Sequence, residues 1–478
     1  MRNLSMMTDY YELTMSNGYF KKNMSNTVAV FDLFFRPYDE SSYCIAAGLE
    51  QAVEYIMNLH FSKQDIEFLR STNEMSKEFL EYLSNFKFSG NVYAVEEGAV
   101  VFPYEPVITI EAPIIEAQII ESALLNIVNF QTLIATKSAR VCRSAGNGSV
   151  LEFGLRRAQA PDAAIYGARA AVIGGCSSTS NVLTCQMFNL TPKGTHAHSW
   201  VMSFDNELES FRAYAELYPN NCMLLVDTYD TLKSGVPNAI KVFDELNQKG
   251  IRPVGIRLDS GDLAYLSKKA RAMLDQAGYP DAKIFVSGDL DEYVIQSLNN
   301  QGARIDVYGV GTRLITSNET PSLGGVYKLA ALKVNGEYIP KMKISDNPIK
   351  ITNPCRKTFY RLISKVTNKA LADIICVYDE VIDENKPLII THPAERWKRQ
   401  IVSDFYLKPM MNTIISNGKL VVKLPDIYKI KQKAKDNLAQ FWEEHTRNVK
   451  SEIYKVDLSD KLYNIKTEFI TKSREENI

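Results

Sequence analysis

The sequence predicts an α/β fold organised by a parallel sheet with crossover helices, and three observations carry that expectation. From residue 149 onward the short β-rich runs SVLEFGL, NCMLLVDTY, RPVGIRLD, AKIFVSGD and RIDVYGVG alternate with helical patterns such as DLAYLSKKARAMLDQAG and DEYVIQSLNNQG. Such alternation reads as parallel strands joined by helices, either doubly wound or closed into a barrel. Glu152, Asp227, Arg257, Asp259, Gly288 and Gly311 all fall at or near the C-terminal ends of these runs, which is the active-site end of a β/α barrel. Finally, the rhythm occupies only the middle of a 478-residue chain, which is too long for one hydrophobic core. Five runs are fewer than the eight of a regular barrel, so a barrel here is irregular or completed by strands that the pattern does not reveal.

Taken in order, Asp9 to Phe20 reads as a helix and VAVFDLFFR as a strand, followed by helical patterns at Leu49 to Leu59 and Lys77 to Phe86. NVYAV, AVVFP and VITIEA, punctuated by Gly98, Pro103 and Pro106, predict a small antiparallel β unit. The apolar stretch from Ile114 to Thr136 is interrupted by Glu116, Gln118, Glu121, Asn126, Asn129 and Gln131, so it reads as a buried amphipathic helix and not a membrane span. After residue 330, VYKLAALKVNGEYIPKMKIS is hairpin-like, and the last fifty or so residues read as charged helices with a frayed end. The expected domains are 1–148, an N-terminal α/β domain; 149–330, the β/α region with the active site; and 331–478, packing on the N-terminal domain.

Composition narrows the function classes. Fifty-five basic and 56 acidic residues give a net charge of −1, so no overall field draws the chain to nucleic acid or an anionic membrane. The seven cysteines are scattered and form no C-x-x-C pair, which predicts neither a disulfide framework nor a structural zinc site. With MRNLSMMTDYYEL showing no secretory pattern, the expected compartment is the reducing cytoplasm.

Five segments carry chemistry. Ser287-Gly288-Asp289 and Gly309-Val310-Gly311-Thr312 close the late strands, where backbone N–H groups cradle phosphate in barrels; the competing reading is a pair of tight turns. Gly255-Ile256-Arg257-Leu258-Asp259-Ser260-Gly261-Asp262 crowds a cation and carboxylates at one strand end. There Arg257 and Asp259 point the same way, Arg257 suits a bidentate anion contact, Asp259 suits ribose hydroxyls or magnesium, and Asp262 reads as a helix cap. In Glu152-Phe153-Gly154-Leu155-Arg156-Arg157, Phe153 could stack on a flat heteroaromatic ring and an arginine could meet an anion; a core phenylalanine with surface arginines fits equally well. Gly194-Thr195-His196-Ala197-His198 holds an H-x-H that on a strand would put both rings on one face. Without a third ligand nearby, a single catalytic histidine ranks above a metal site.

Read together, TDYYELTM, FDLFFR, AAGLEQ, EFGLRRAQ, IGGCSSTSNV, GTHAHSW, LLVDTYDT, IRLDSGDL, GVGT and SLGGVYKL resemble the nicotinate phosphoribosyltransferase family, in the family's order from residue 8 to residue 329. The resemblance implies an irregular β/α barrel with a second α/β domain, and a homodimer sharing its active sites. It implies nicotinate, phosphoribosyl pyrophosphate and ATP as substrates, magnesium as cofactor, and a place in NAD biosynthesis or salvage. By the same resemblance Tyr11 stacks on the ring from the partner subunit, and Phe153, Arg156, Thr195 and Arg257 hold nicotinate and the phosphoribosyl donor. Gly288, Gly311 and Thr312 then cradle the 5′-phosphate, and His198 is phosphorylated from ATP. Ser180 stands where related nicotinamide enzymes carry an aspartate. Tyr10, Glu12 and Ala160 depart from the family's TDLYQ and RRAQ-G patterns.

The implied mechanism works by positioning and electrostatics, because the pyridine nitrogen is already nucleophilic and needs no base. Arg36, Lys328 and Lys341 are weaker candidates for neutralising pyrophosphate. The competing functions are a nicotinamide or quinolinate transferase, a non-catalytic phosphoribosyl-ligand-binding protein, and a metal-dependent aldolase.

Overall fold

The alternation after residue 149 does produce a parallel sheet. The structure, a computed structural model, describes residues 3–37, 43–393, 395 and 397–475. The chain divides into two compact units, one formed by residues 134–321 and the other by residues 1–133 together with 322–478. The sequence boundaries at 148/149 and 330/331 lie later than these divisions. The first division falls inside the helix α1 (Glu121–Ala145).

In the middle unit six strands, β1 (Ser149–Glu152), β2 (Ser178–Thr179), β3 (Met223–Leu225), β4 (Gly255–Leu258), β5 (Lys283–Ser287) and β6 (Val307–Val310), form one sheet in the order β2-β1-β6-β5-β4-β3. Every neighbouring pair is parallel. The strands are short and almost wholly buried, as a sheet covered on both faces requires. Five of the six match the β-rich runs. The two-residue β2 was not read, because SST carries no β-rich stretch. Regular barrel closure is absent among the described residues, since β2 and β3 do not pair. The extended segment 191–197 lies between them: Lys193 N–H donates to Thr179 O at 3.1 Å, and Leu225 N–H donates to the His196 ring Nε2 at 3.2 Å. An irregular stave therefore touches both edges of the sheet.

The other unit is built by both ends of the chain. Seven strands lie in the order Glu337–Pro340, Gly325–Val334, Val28–Phe35, Ile108–Pro113, Asn91–Ala94, Asn412–Ser416 and Lys419–Leu420. All the pairings are antiparallel. The small antiparallel unit expected between residues 90 and 112 is thus part of a larger sheet that the C-terminal region completes. Its hairpin turns at Asn335-Gly336, where both residues have positive φ (51° and 88°), the signature of a tight two-residue turn. The region after residue 356 adds a second sheet of six strands, one of which, Val456–Leu458, interrupts the expected run of C-terminal helices. One apolar core joins Phe31 and Leu33 to Ile414, Ile415 and Leu458.

The expected N-terminal helix is found at Tyr10–Lys21. The single helix expected at 114–136 is instead two, Ile114–Ile119 and α1, parted at Ile120. The frayed end expected for the tail falls on residues 476–478, outside the described residues. Among the described residues no helix is long and apolar enough to cross a membrane.

Candidate active site

The sequence-predicted polar residues of the middle unit converge on Arg257. Its Nε donates to Ser287 Oγ (2.9 Å), one terminal nitrogen to Thr195 Oγ1 (2.8 Å) and the other to Asp259 Oδ1 (2.8 Å). The guanidinium carbon lies 5.5 Å from the Phe285 ring centre and 5.8 Å from that of Phe153. The period of two that put Arg257 and Asp259 on one side of β4 is seen directly in their contact. Of the five N–H groups of an arginine, these bonds use three, so two remain for a ligand.

Asp259 is held from several directions. Ser287 Oγ also donates to its Oδ1, and its backbone N–H donates to Asp227 Oδ2 at 2.7 Å. Burial opposes its charge, but the Ser287 hydrogen bond and the Arg257 cation together hold the carboxyl below its ordinary value. Asp227 spends Oδ2 on Asp259 and on Ser260 Oγ (2.8 Å). Its Oδ1 is buried without a hydrogen-bond partner, and its side chain is only 2% exposed.

The two histidines do not share a face, which corrects the H-x-H expectation. His196 ends the irregular stave, is buried against Tyr214 in an edge-on contact at 4.6 Å, and accepts the Leu225 N–H. Burial lowers its pKa to about 4, so it stays neutral. His198 instead opens the short helix His198–Met202 and is 39% exposed. Its Nδ1 is hydrogen-bonded to Thr228 Oγ1 (3.0 Å), and its Nε2 faces Asp227 Oδ1 (3.9 Å) and Asp259 Oδ2 (3.8 Å). The helix start turns the backbone between the two rings, which a strand period cannot anticipate.

Glu152 is wholly buried and inward. It accepts from Thr179 Oγ1 (2.6 Å) and from the Gly154 N–H, and burial raises its pKa. It therefore braces β1 against β2 instead of facing a ligand. Phe153 is half-buried, 5.6 Å from Phe285. Ser180 is half-buried, with its N–H on Glu152 O. Arg156 is exposed in a single helical turn, Leu155–Arg157. Gly288 has φ +105°, and a Cβ there would lie 2.5 Å from the Asp259 carbonyl oxygen, so the turn beside Asp259 requires glycine. Gly311 lies against the Phe153 carbonyl and leads into Thr312–Ile315. Asp262 caps its helix by accepting from Tyr265 N–H at 2.9 Å, as expected.

Tyr11 and the basic candidates belong to the other unit. Tyr11 is exposed, with its phenol pKa raised by burial of the hydroxyl end and by Glu121 and Glu12. The departure Glu12 is buried, bonded by Thr8 and Ser122, and burial raises its pKa to about 7. Lys328 stands 3.9 Å from Glu121 and in the fields of Arg36 and Lys343. Lys341 uses its backbone to bond Ala330. Ser287, Thr228 and Asp227 Oδ1 were not assigned roles from sequence. Their only signal was position at a strand end, since partners thirty residues apart are joined by the fold. Among the described residues no group of three or more His, Cys, Asp or Glu could hold a metal ion by itself.

Three family models match the chain: the nicotinate phosphoribosyltransferase N-terminal domain over residues 6–129, the nicotinate phosphoribosyltransferase family over 149–374, and its C-terminal domain over 356–466. The nicotinate phosphoribosyltransferase of Bacillus subtilis is 48% identical over 475 residues, covering 98% of this chain and 96% of that protein. The chain belongs to the nicotinate phosphoribosyltransferase family. Its human member is 30% identical over 96% of this chain and 95% of its own length. A crystal structure of the human nicotinic acid phosphoribosyltransferase superposes with a TM-score of 0.84 at 28% identity, covering 96% of this chain and 99% of that one. The fold is also shared with a nicotinate-nucleotide pyrophosphorylase from Pyrococcus furiosus, at a TM-score of 0.71 and 23% identity, covering 92% of this chain and 96% of that one. The family's α/β class thus agrees with the architecture observed here.

Proposed function

We propose that the protein joins nicotinate to the ribose of phosphoribosyl pyrophosphate, releasing pyrophosphate, in NAD biosynthesis or salvage. The observation that carries this reading is the Arg257 centre, a buried-edge cation with two unspent N–H groups beside an ionised carboxylate and a glycine turn. Displacement at the sugar builds positive charge on the ribose and negative charge on the leaving group. Asp259 favours the first, and Arg257 binds an anionic carboxylate or phosphate. Phe153 supplies a ring face beside Arg257, and the Gly288, Gly311 and Thr312 turns supply backbone donors for a 5′-phosphate.

Nicotinate is expected to be preferred to nicotinamide, because the stretch 174–181 holds no carboxylate, and the nearby Glu152 is turned away and satisfied. A lost charge-assisted contact costs about 1.5–3 kcal/mol, so the preference in kcat/KM should be roughly ten- to a hundredfold. Steady-state kinetics with both bases tests this; equal kcat/KM values would remove the reading.

Magnesium fits the same centre. Asp227 Oδ1, buried without a hydrogen-bond partner, and Asp259 Oδ2, which faces His198 Nε2 at 3.8 Å, are hard oxygen ligands, and one or two carboxylates plus substrate phosphates are a usual magnesium environment. Bound there, the ion would neutralise phosphate charge.

ATP coupling through His198 rests on the same geometry: an exposed imidazole, fixed at Nδ1 by Thr228, presents Nε2 between those carboxylates. Protein incubated with ATP labelled in its γ-phosphate should acquire an acid-labile, base-stable adduct that His198→Ala loses and His196→Ala retains. The reverse pattern would transfer the role to His196, and undiminished labelling in EDTA would take magnesium out of the step.

A homodimer with shared sites completes the proposal. Tyr10, Tyr11 and Met15 leave large apolar surface on one helix (51%, 45% and 40% exposed), a feature of association surfaces. Mixing inactive Tyr11→Ala and Arg257→Ala proteins should restore part of the activity. No recovery, once subunit exchange is demonstrated, would exclude a shared site. Cytoplasmic residence accords with seven cysteines that are all thiols.

A further inference from the structure

Six of the seven cysteines are buried, and Cys142 alone is partly exposed. It lies on α1, one turn beyond Ser138 and on the same helix face. Facing it is Cys176, wholly buried in the turn that leads into β2. The Ser138 hydroxyl touches both thiols, at 3.9 Å from Cys142 Sγ and 3.3 Å from Cys176 Sγ. A Cβ built on Gly175, the residue before Cys176, would lie 3.1 Å from Cys142 Sγ, so the backbone that carries Cys176 packs directly on the Cys142 thiol. Residues 34 positions apart are thus brought to one hydroxyl, and the one partly exposed cysteine has a second thiol as its neighbour.

We propose that Cys142 and Cys176 are a redox-responsive pair that closes to a disulfide and lowers the affinity of the neighbouring site for nicotinate. The oxidant is a small-molecule disulfide. Cys142, as thiolate, attacks one of its sulfurs, forming a mixed disulfide and releasing one thiol. Cys176 then gives up its proton and attacks Cys142 Sγ, forming the protein disulfide and releasing the second thiol. Two protein thiols are oxidised, one small disulfide is reduced to two thiols, and a thiol reductant reverses both steps. The Cys142 contact and burial both push the Cys176 thiol well above its ordinary range, which makes Cys142 the entry point and the second attack the slow step, faster at higher pH.

The link to the site follows from packing. The turn before Cys176 is already pressed on α1: a Cβ at Gly174 would lie 2.1 Å from the Ala135 carbonyl oxygen, and one at Gly175 3.1 Å from Cys142 Sγ. A disulfide shortens the sulfur separation to about 2.05 Å. With Gly174 and Gly175 seated against α1, the strain of closure passes onward along residues 176–180. Those residues are tied to β1 by Ser177 N–H on Val150 O (2.8 Å), Ser180 N–H on Glu152 O (3.1 Å) and Thr179 Oγ1 on Glu152. Closure of the bond therefore displaces Ser180 and the β1 end that carries Phe153. The effect on nicotinate rests on the transferase reading; formation of the bond does not.

The test is incubation of the full chain with oxidised glutathione, followed by non-reducing peptide mass analysis and steady-state kinetics, with Cys142→Ser and Cys142→Ala treated alongside. The expected result is a Cys142–Cys176 linked peptide, reversed by dithiothreitol, with KM for nicotinate raised by about three- to tenfold in the wild type and unchanged in both variants. Linkage should proceed faster at pH 8.5 than at pH 7. Unmodified thiols, or glutathione retained on Cys142 without linkage, would overturn the pair. Linkage with unchanged KM would overturn its effect on the site. If no transferase activity is measurable in reduced protein, that failure belongs to the functional reading, and the mass analysis still decides the pair.

Discussion

Arg257→Lys is expected to lower kcat/KM for nicotinate by roughly 10²- to 10⁴-fold while leaving the fold intact. A lysine keeps the charge but replaces a planar fork by a point charge. In the proposed role Arg257 does two things at once: three N–H groups hold Ser287, Thr195 and Asp259 in place, and the two left over would bind the ligand. Lysine has three donors in all, so it cannot bridge three protein oxygens and still grip an anion. Two charge-assisted hydrogen bonds at about 1.5–3 kcal/mol each give that range. The aromatic faces of Phe153 and Phe285 also lose a flat partner. Kinetics together with circular dichroism and a melting curve check this. A folded variant with activity within a few-fold of wild type would place Arg257 outside the reacting centre.

Arg361→Met is expected to destabilise the protein by about 3–5 kcal/mol, the usual cost of removing one partner from a buried ion pair. Arg361 and Asp373 are both wholly buried, joined by Nε to Oδ1 (2.9 Å) and a terminal nitrogen to Oδ2 (2.6 Å). The same arginine donates to the Val100 carbonyl at 2.8 Å and lies 4.8 Å from the Phe441 ring centre. Its removal strands Asp373 beside Glu105, whose carboxyl burial and Asp373 already push well above the ordinary range. For Glu105 the folded pKa lies above the unfolded one. Its favourable contribution is therefore present at low pH and lost as pH rises through the folded value; Arg361 offsets part of that rise, so without it the Glu105 pKa goes higher still and the variant's deficit should deepen with pH. Urea midpoints at two pH values measure it. A second change, Asp373→Leu, should recover part of the loss, since both charges are then gone. A single variant within about 1 kcal/mol of wild type would show that the pair carries little stability.

The placement of much of the candidate site was legible because its residues sit at strand ends, and strand ends are marked by composition. The runs around Glu152, Arg257, Ser287 and Val310 end where β-rich character gives way to glycine and charge, and the strands end there too. The side-chain period of two correctly joined Arg257 to Asp259. The same period misled at His196 and His198, because the chain leaves an irregular stave and enters a helix between them. Glu152 looked like its neighbours in sequence, yet Thr179 and the Gly154 N–H claim its carboxylate. Composition at a strand end cannot say which polar groups are spent internally.

By itself, then, the sequence determined the alternating α/β class, five of the six parallel strands, the strand-end polar residues and, through its long runs, the family. All of these depend on residues close together in the chain, where periodicity and local composition are sufficient. Tertiary structure alone decided that residues 191–197 touch both sheet edges, and that N- and C-terminal strands share one antiparallel sheet. It also decided that Ser287 bridges Arg257 and Asp259, that Asp227 Oδ1 is left without a hydrogen bond, and that Cys142 and Cys176 meet at the Ser138 hydroxyl. Each of these joins residues far apart in sequence through hydrogen bonds or packing, and such pairings arise only when burial brings separate segments into one geometry.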